Sequence, residues 1–170
     1  SVIVRSVLDR TLFVLGRAAA VAAPAGIVIW LLSNIHLGDI SLFARLTSFL
    51  DPLGRFLGMD GVILLAFLLG FPANETVIPI ILMGYMGGST LTEYESLATL
   101  KDLLTANGWT PLTALCVILF SLMHWPCSTT LMTIRKETGS RSLTALAFLL
   151  PTVCGMIACA LVNTVGGWIA

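Results

Sequence analysis

Charge is scarce in this sequence. Asp, Glu, Lys and Arg make up 11% of its 170 residues, where a soluble domain carries roughly a quarter. So few charges cannot cover the surface of a soluble body of this size. Lysine is scarcer still, with only Lys101 and Lys136, and no glycine-rich loop ends in Lys-Ser or Lys-Thr. That excludes a nucleotide-binding P-loop from this stretch, and no bound nucleotide is expected. Net charge is zero, so the basic footprint of a nucleic-acid partner is missing. The four cysteines, Cys116, Cys127, Cys154 and Cys159, form no CxxC pair and sit in apolar surroundings. They read as small hydrophobes rather than as a disulfide framework. Arg5, Asp9, Arg10 and Arg17 interrupt any short apolar leader, and there is no initiator Met. No signal peptide is expected, and the chain is expected to be a fragment of a longer one.

What remains is apolar: 57% of the residues are hydrophobic and the mean hydropathy is +0.98. The runs are long enough to cross a hydrocarbon core, which takes about 20 helical residues. The expected class is an all-α integral membrane domain of kinked and broken helices, one domain over 1–170. Residues 1–17 read as an amphipathic lead-in and 18–33 as a transmembrane helix kinked at Pro24 and Gly26. Residues 41–57 place Leu42, Phe43, Leu46, Phe49, Leu50 and Leu53 at helical spacing among Arg45, Asp51 and Arg55. That predicts an interfacial amphipathic helix, broken or bent at Pro52. In 92–107, a Thr92/Glu95 capping box, a Leu97–Leu100–Leu104 stripe and an Asn107-Gly108 ending predict a short surface helix. Residues 110–134 read as a broken transmembrane helix, and 142–169 as a last span containing Pro151 and Gly155.

Residues 61–88 are apolar but interrupted by Gly70-Phe71-Pro72-Ala73-Asn74-Glu75. Orientation bears on this segment. Arg135, Lys136 and Arg141 favour the cytoplasmic side, as do the N-terminal arginines. Single crossings by 18–33, 61–88 and 110–134 would put these two basic regions on opposite sides. A re-entrant hairpin over 61–88, with its tip at Gly70 to Asn74, restores an even count. Irregular backbone at that depth must be buried in protein or line a cavity.

The chemistry concentrates at the two interruptions. A lipid-facing carboxylate at mid-membrane costs about 2.5–3.5 kcal/mol on insertion scales, so Glu75 is expected to face protein or water. It either caps the second half-helix or serves a cation or proton site, and the two roles are compatible. His124 and Cys127 flank Pro126, which removes a backbone donor and frees the Leu122 carbonyl. Imidazole, thiol and free carbonyls together suit a soft-to-borderline divalent transition metal. Met123 adds a thioether, and Ser128 or Thr129 a hydroxyl. Packing alone also accounts for His124. No four-ligand set is visible, so a closed structural zinc site is not expected. Two broken helices carrying polar groups mid-membrane are the signature of a secondary-transporter site. Glu75, His124 and Cys127 are the candidate metal residues. Gly70, Pro72, Asn74, Met123, Pro126, Ser128 and Thr129 are candidate lining or gate positions. His36, beside Asn34, reads as a solvated loop residue.

Gly-Phe-Pro-Ala-Asn-Glu (70–75) and His-Trp-Pro-Cys-Ser-Thr-Thr (124–130) resemble the second gate region of the ferrous iron transport protein B family. So do Leu-Asp-Arg-Thr-Leu-Phe-Val-Leu-Gly-Arg (8–17) and Ile-Arg-Lys-Glu-Thr-Gly-Ser (134–140). The resemblance spans essentially the whole chain and matches in order and interval. It implies a nucleoside-transporter-like gate fold and Fe(II) as transported substrate across the bacterial cytoplasmic (inner) membrane. It also implies a GTPase region and a first gate elsewhere in the same protein, and directs attention to Cys127 as a residue that touches iron. The expected partners are the lipid bilayer, those missing regions, and further copies of the chain in a homo-oligomer. No enzymatic activity is expected of this stretch. A transporter of another solute such as a nucleoside is the main alternative. A Cys127–His124 thiol enzyme and a non-transporting scaffold are the others; for the enzyme, no oxyanion hole or second acid is evident.

Overall fold

The computed structural model describes residues 26–87 and 97–169, with 11, 12, 16, 19, 20, 23 and 24. The amphipathic lead-in over 1–17 and the Thr92/Glu95 capping box fall largely or wholly outside the described residues, as do residues 18, 21, 22 and 25 of the 18–33 helix. Within them the chain is mostly helical. Helix α1 covers 26–34. A two-residue antiparallel ladder, β1 (His36–Leu37) and β2 (Ile40–Ser41), follows. This miniature hairpin was not expected: Gly38, at φ +79°, supplies the left-handed residue that turns it. His36 is exposed, and its Nδ1 lies 2.9 Å from the Asn34 carbonyl.

Helix α2 (Leu42–Phe56) starts at Ser41, whose Oγ accepts the Ala44 N–H at 3.2 Å, a cap that contributes about 1 kcal/mol. It is amphipathic, with Phe43 buried and Phe49 and Phe56 exposed. The helix is not broken at Pro52; it runs through to Phe56. The interruption comes after it, at Gly58 (φ +74°), where the chain turns by 107° into α3 (Gly61–Leu69). Asp60 caps α3, accepting the Ile63 N–H at 2.7 Å. Apolar on every side, α3 is the kind of helix that must be buried, and Ile63, Ala66 and Phe67 are at most 1% exposed.

From Gly70 the chain turns back through residues 70–73 and a tight 3-10 turn, Asn74–Thr76, into α4 (Val77–Met86). Helices α3 and α4 are antiparallel. Gly70 abuts Val77 at one end of the pair, and Gly84 abuts Val62 at the other. Helix α5 (Leu97–Ala106) turns Leu100, Leu103 and Leu104 inward, while Leu97 is exposed. It stops at Gly108 (φ +85°), with the Trp109 N–H on the Leu104 carbonyl.

Helix α6 (Pro111–Met123) is capped by Thr110, with proline in its first turn where no donor is lost. A four-residue gap, 124–127, separates it from α7 (Ser128–Thr138). Helix α8 (Arg141–Ile169) is continuous through Pro151. Two stretches are long and apolar enough to cross a membrane, Pro111–Thr138 and Arg141–Trp168; a third is added if α2 and α3 form one bent span. Only 22% and 17% of the two spans' most apolar windows are buried. Outward leucines such as Leu122, Leu149 and Leu161 therefore suit a lipid surround. The core lies where α3 and α4 meet α6 and α8, around Phe67, Ile80, Ile81, Cys116, Phe120 and Cys159. Cys154, by contrast, is exposed, so the reading of it as a core hydrophobe does not hold.

Candidate functional site

The α3–α4 pair has two polar ends. At its open end, the Trp109 indole N–H donates to Tyr85 Oη at 2.7 Å, and the Tyr85 hydroxyl donates to Asp60 Oδ2 at 2.5 Å. The other Asp60 oxygen caps α3. Asp51 accepts from Arg55 Nε at 2.7 Å and from the Gly61 N–H at 3.3 Å. A cavity of about 420 Å³ opens here beside Thr47, Ser48, Asp51, Asp60 and Tyr85. Both carboxylates are already engaged, so this end fastens α2, α3, α4 and Trp109 together.

The other end is the tip, and it meets the gap between α6 and α7. The Ser128 N–H donates to the Phe71 carbonyl at 3.0 Å, and the Ser128 hydroxyl donates to the Pro72 carbonyl at 3.5 Å. The gap lies near the middle of Pro111–Thr138. The middle of α8 arrives at the same place: a Cβ added at Gly155 would stand 3.1 Å from Met123 Cβ and 3.2 Å from its carbonyl oxygen. A side chain at 155 would push α8 off the end of α6. Gly70 plays a similar part within the tip, since a Cβ there would meet Val77 Cγ2 at 2.5 Å. Three irregular or small-residue points, far apart in sequence, thus converge.

Aromatic rings line this junction. Phe67 meets Phe120 edge-on at 4.8 Å and tilts against His124 at 5.1 Å. Trp125 stacks on Phe148 at 5.7 Å, and Phe71 meets Phe148 edge-on at 6.1 Å. Of these phenylalanines only Phe71 stood in a motif read from the sequence; the ring partners named here lie roughly 20 to 80 positions away, and no local pattern announces them.

His124 is half-buried, with Nδ1 2.9 Å from the Ser121 carbonyl. A carbonyl can only accept, so Nδ1 carries the hydrogen and Nε2 presents its lone pair, the arrangement usual in metal-binding histidines. Cys127 is half-buried at the N-cap of α7, its Sγ 3.1 Å from both Thr129 Oγ1 and Thr130 Oγ1. Thr129 therefore bonds to the thiol. Pro126 lies in the gap and Pro72 in the tip, both half-buried. Met123 ends α6 against Gly155. Glu75 is exposed and has no hydrogen-bond or ion-pair partner among the described residues, so it does not cap α4. Two polar atoms at the junction are buried without a partner among those residues, Asn74 Oδ1 and Trp125 Nε1. Among the described residues no group of three or more His, Cys, Asp or Glu side chains is placed to hold a metal ion. The predicted trio of Glu75, His124 and Cys127 is therefore not gathered into a ligand set in this conformation.

A helical hairpin whose tip contacts the break of a candidate membrane span, beside a second long apolar helix, points to a membrane protein. The family model Gate, described as nucleoside recognition, matches residues 15–141, and the chain belongs to that family. Among individual proteins it is similar to the Fe(2+) transporter FeoB of Staphylococcus aureus strain MSSA476, 30% identical over 164 residues, which are 90% of this chain and 23% of that protein. The Fe(2+) transporter FeoB of Leptospira biflexa serovar Patoc is 31% identical over 142 residues, 81% of this chain and 20% of that protein. The chain thus spans less than a quarter of the length of these relatives. No solved structure matches it.

Proposed function

We propose that this chain forms half of an Fe(II) permeation path in the cytoplasmic membrane of a bacterium, as the second gate of a larger importer. The observation that carries the reading is the contact between Ser128 and the Phe71 and Pro72 carbonyls, which seats the hairpin tip in the gap of Pro111–Thr138. The arms α3 and α4 have nine and ten residues, about 14–15 Å each at 1.5 Å per residue. That is half a hydrocarbon core of about 30 Å, so the pair enters and returns rather than crossing, and its tip comes to rest near the midplane. Helix α2, with charges along one face, lies in the headgroup plane, and α6–α7 and α8 cross as a multi-pass pair.

At the midplane, Cys127 Sγ and His124 Nε2 offer soft and borderline donors suited to Fe(II), and Glu75 adds charge compensation on the tip. Three protein donors that are not pre-gathered fit a path that must release its ion. Fe(II) exchanges water for these groups as the tip and the gap separate. Further ligands come from the first gate or from a second copy of the chain, and energy coupling from the GTPase region of the same protein. Support for the metal comes from the names of the relatives at about 30% identity.

A second reading, transport of a nucleoside, is favoured by the family's description and by the rings at the junction, whose faces suit a base. One binding experiment separates the two. Anaerobic Fe(II) binding to the detergent-solubilised protein is measured with Zn(II) and a nucleoside as competitors. Fe(II) binding that the nucleoside leaves intact supports the metal path. Nucleoside binding without Fe(II) binding replaces it.

A further inference from the structure

Helices α7 and α8 diverge from their shared turn at Gly139 (φ +64°) and leave a groove of about 470 Å³ between them. Its walls are Leu131, Ala145, Phe148 and Leu149, and its mouth is set by Arg135 and Arg141. Arg135 lies in the last turn of α7 and Arg141 opens α8, so both arginines stand at one end of a slot whose only other polar lining residue is Thr144, its hydroxyl donated to the Ser140 carbonyl. Neither has an ion-pair partner among the described residues. Glu137, exposed on α7 between them in sequence, pairs with neither.

We infer that this groove is a binding site for one anionic phospholipid drawn from the surrounding bilayer. The slot opens sideways between two candidate membrane spans, where its neighbours are acyl chains. Its charged rim falls at the end where Arg135, Lys136 and Arg141 concentrate, and juxtamembrane basic residues attract anionic headgroups. Guanidinium forks match phosphate oxygens in pairs. One acyl chain lies along Leu131, Ala145 and Leu149, and the phosphate bridges Arg135 and Arg141. The inference rests on the membrane placement of α7 and α8 and not on the identity of the transported solute.

Phe148 gives the site a consequence. The ring that walls the groove also stacks on Trp125 at 5.7 Å and meets Phe71 edge-on at 6.1 Å. One residue thus touches the lipid slot, the gap and the hairpin tip. An occupied groove holds Phe148 in place and braces the closed junction.

Native mass spectrometry of the detergent-purified full-length protein, offered phosphatidylglycerol and phosphatidylcholine with identical chains, tests the site. The expected result is about a tenfold preference for phosphatidylglycerol, lost in the Arg135→Gln/Arg141→Gln variant and reduced but not abolished in Arg135→Lys/Arg141→Lys, which keeps the charge without the fork. Ala145→Trp, which fills the slot, should reduce retention of both lipids, and millimolar inorganic phosphate should displace neither. Lys101→Gln, which removes a distant charge, should change nothing. Equal retention of the two lipids by the unmodified protein overturns the inference without any variant having to fold. So does retention of neither lipid, the result if another part of the protein covers the groove. Displacement by inorganic phosphate would reduce the site to an ion contact and also overturn it.

Discussion

The two ends of the α3–α4 hairpin are both polar, yet they are built on opposite terms. At the open end every polar group has a partner: Trp109 donates to Tyr85, Tyr85 to Asp60, and Asp60 and Asp51 accept the N–H groups of Ile63 and Gly61. At the tip, Glu75 has no partner among the described residues, and Asn74 Oδ1 and Trp125 Nε1 are buried without one. A buried polar atom left unmet costs about 1–3 kcal/mol. A fold that satisfies one end fully and leaves the other short has put more of its stability in the first, and on the proposed function the second is the end that rearranges. The carboxylates at the open end are thus structural, although they sit beside a polar cavity.

Mutations can break that contrast. Asp60→Ala removes the α3 cap and strands the Tyr85 hydroxyl, and should cost about 2–4 kcal/mol. Denaturant or thermal unfolding in detergent reads the loss, and an unchanged midpoint would show that the open end does not fasten the hairpin. Cys127→Ser should weaken Fe(II) binding about tenfold or more with unfolding unchanged, which anaerobic titration detects. A variant that binds as well as the wild type would remove Cys127 from the path. Tyr85→Phe takes away one hydroxyl from the closed network and should cost about 1 kcal/mol. Asn74→Ala, on the tip, deletes a buried atom that has no partner and should leave stability unchanged or raise it by up to about 1 kcal/mol. A larger loss there than at Tyr85 would invert the comparison.

Much of the helical layout was legible because it depends on local backbone chemistry. Pro72 and Pro126 lack a donor and Gly70 lacks a side chain, and the irregular residues 70–76 and 124–127 fall at those positions. Pro52 shows the limit of that logic: α2 continues through it, and the 107° turn falls instead at Gly58. What joins the elements was not legible. Asp60 and Tyr85 are 25 residues apart, and Tyr85 and Trp109 are 24 apart, spacings that no periodicity links. Gly155 read only as a residue inside the last span, while its actual use, admitting the end of α6, depends on Met123 in another helix. The rings of Phe67, Phe120 and Phe148 likewise acquire meaning only in three dimensions. His124 was visible as a residue type, but the tautomer that frees Nε2 came from the Ser121 carbonyl.

The length of α8 has a mechanical side. Its 29 residues measure about 43 Å, against a hydrocarbon core of about 30 Å. A rod that long must lean, curve or protrude, and a thinner bilayer makes it lean further. Because α8 bears on Met123 through Gly155 at its midpoint, a change in lean would turn about the contact between α8 and the end of α6. If α8 spans the bilayer as proposed, membrane thickness would work this domain as a lever with its fulcrum at the junction.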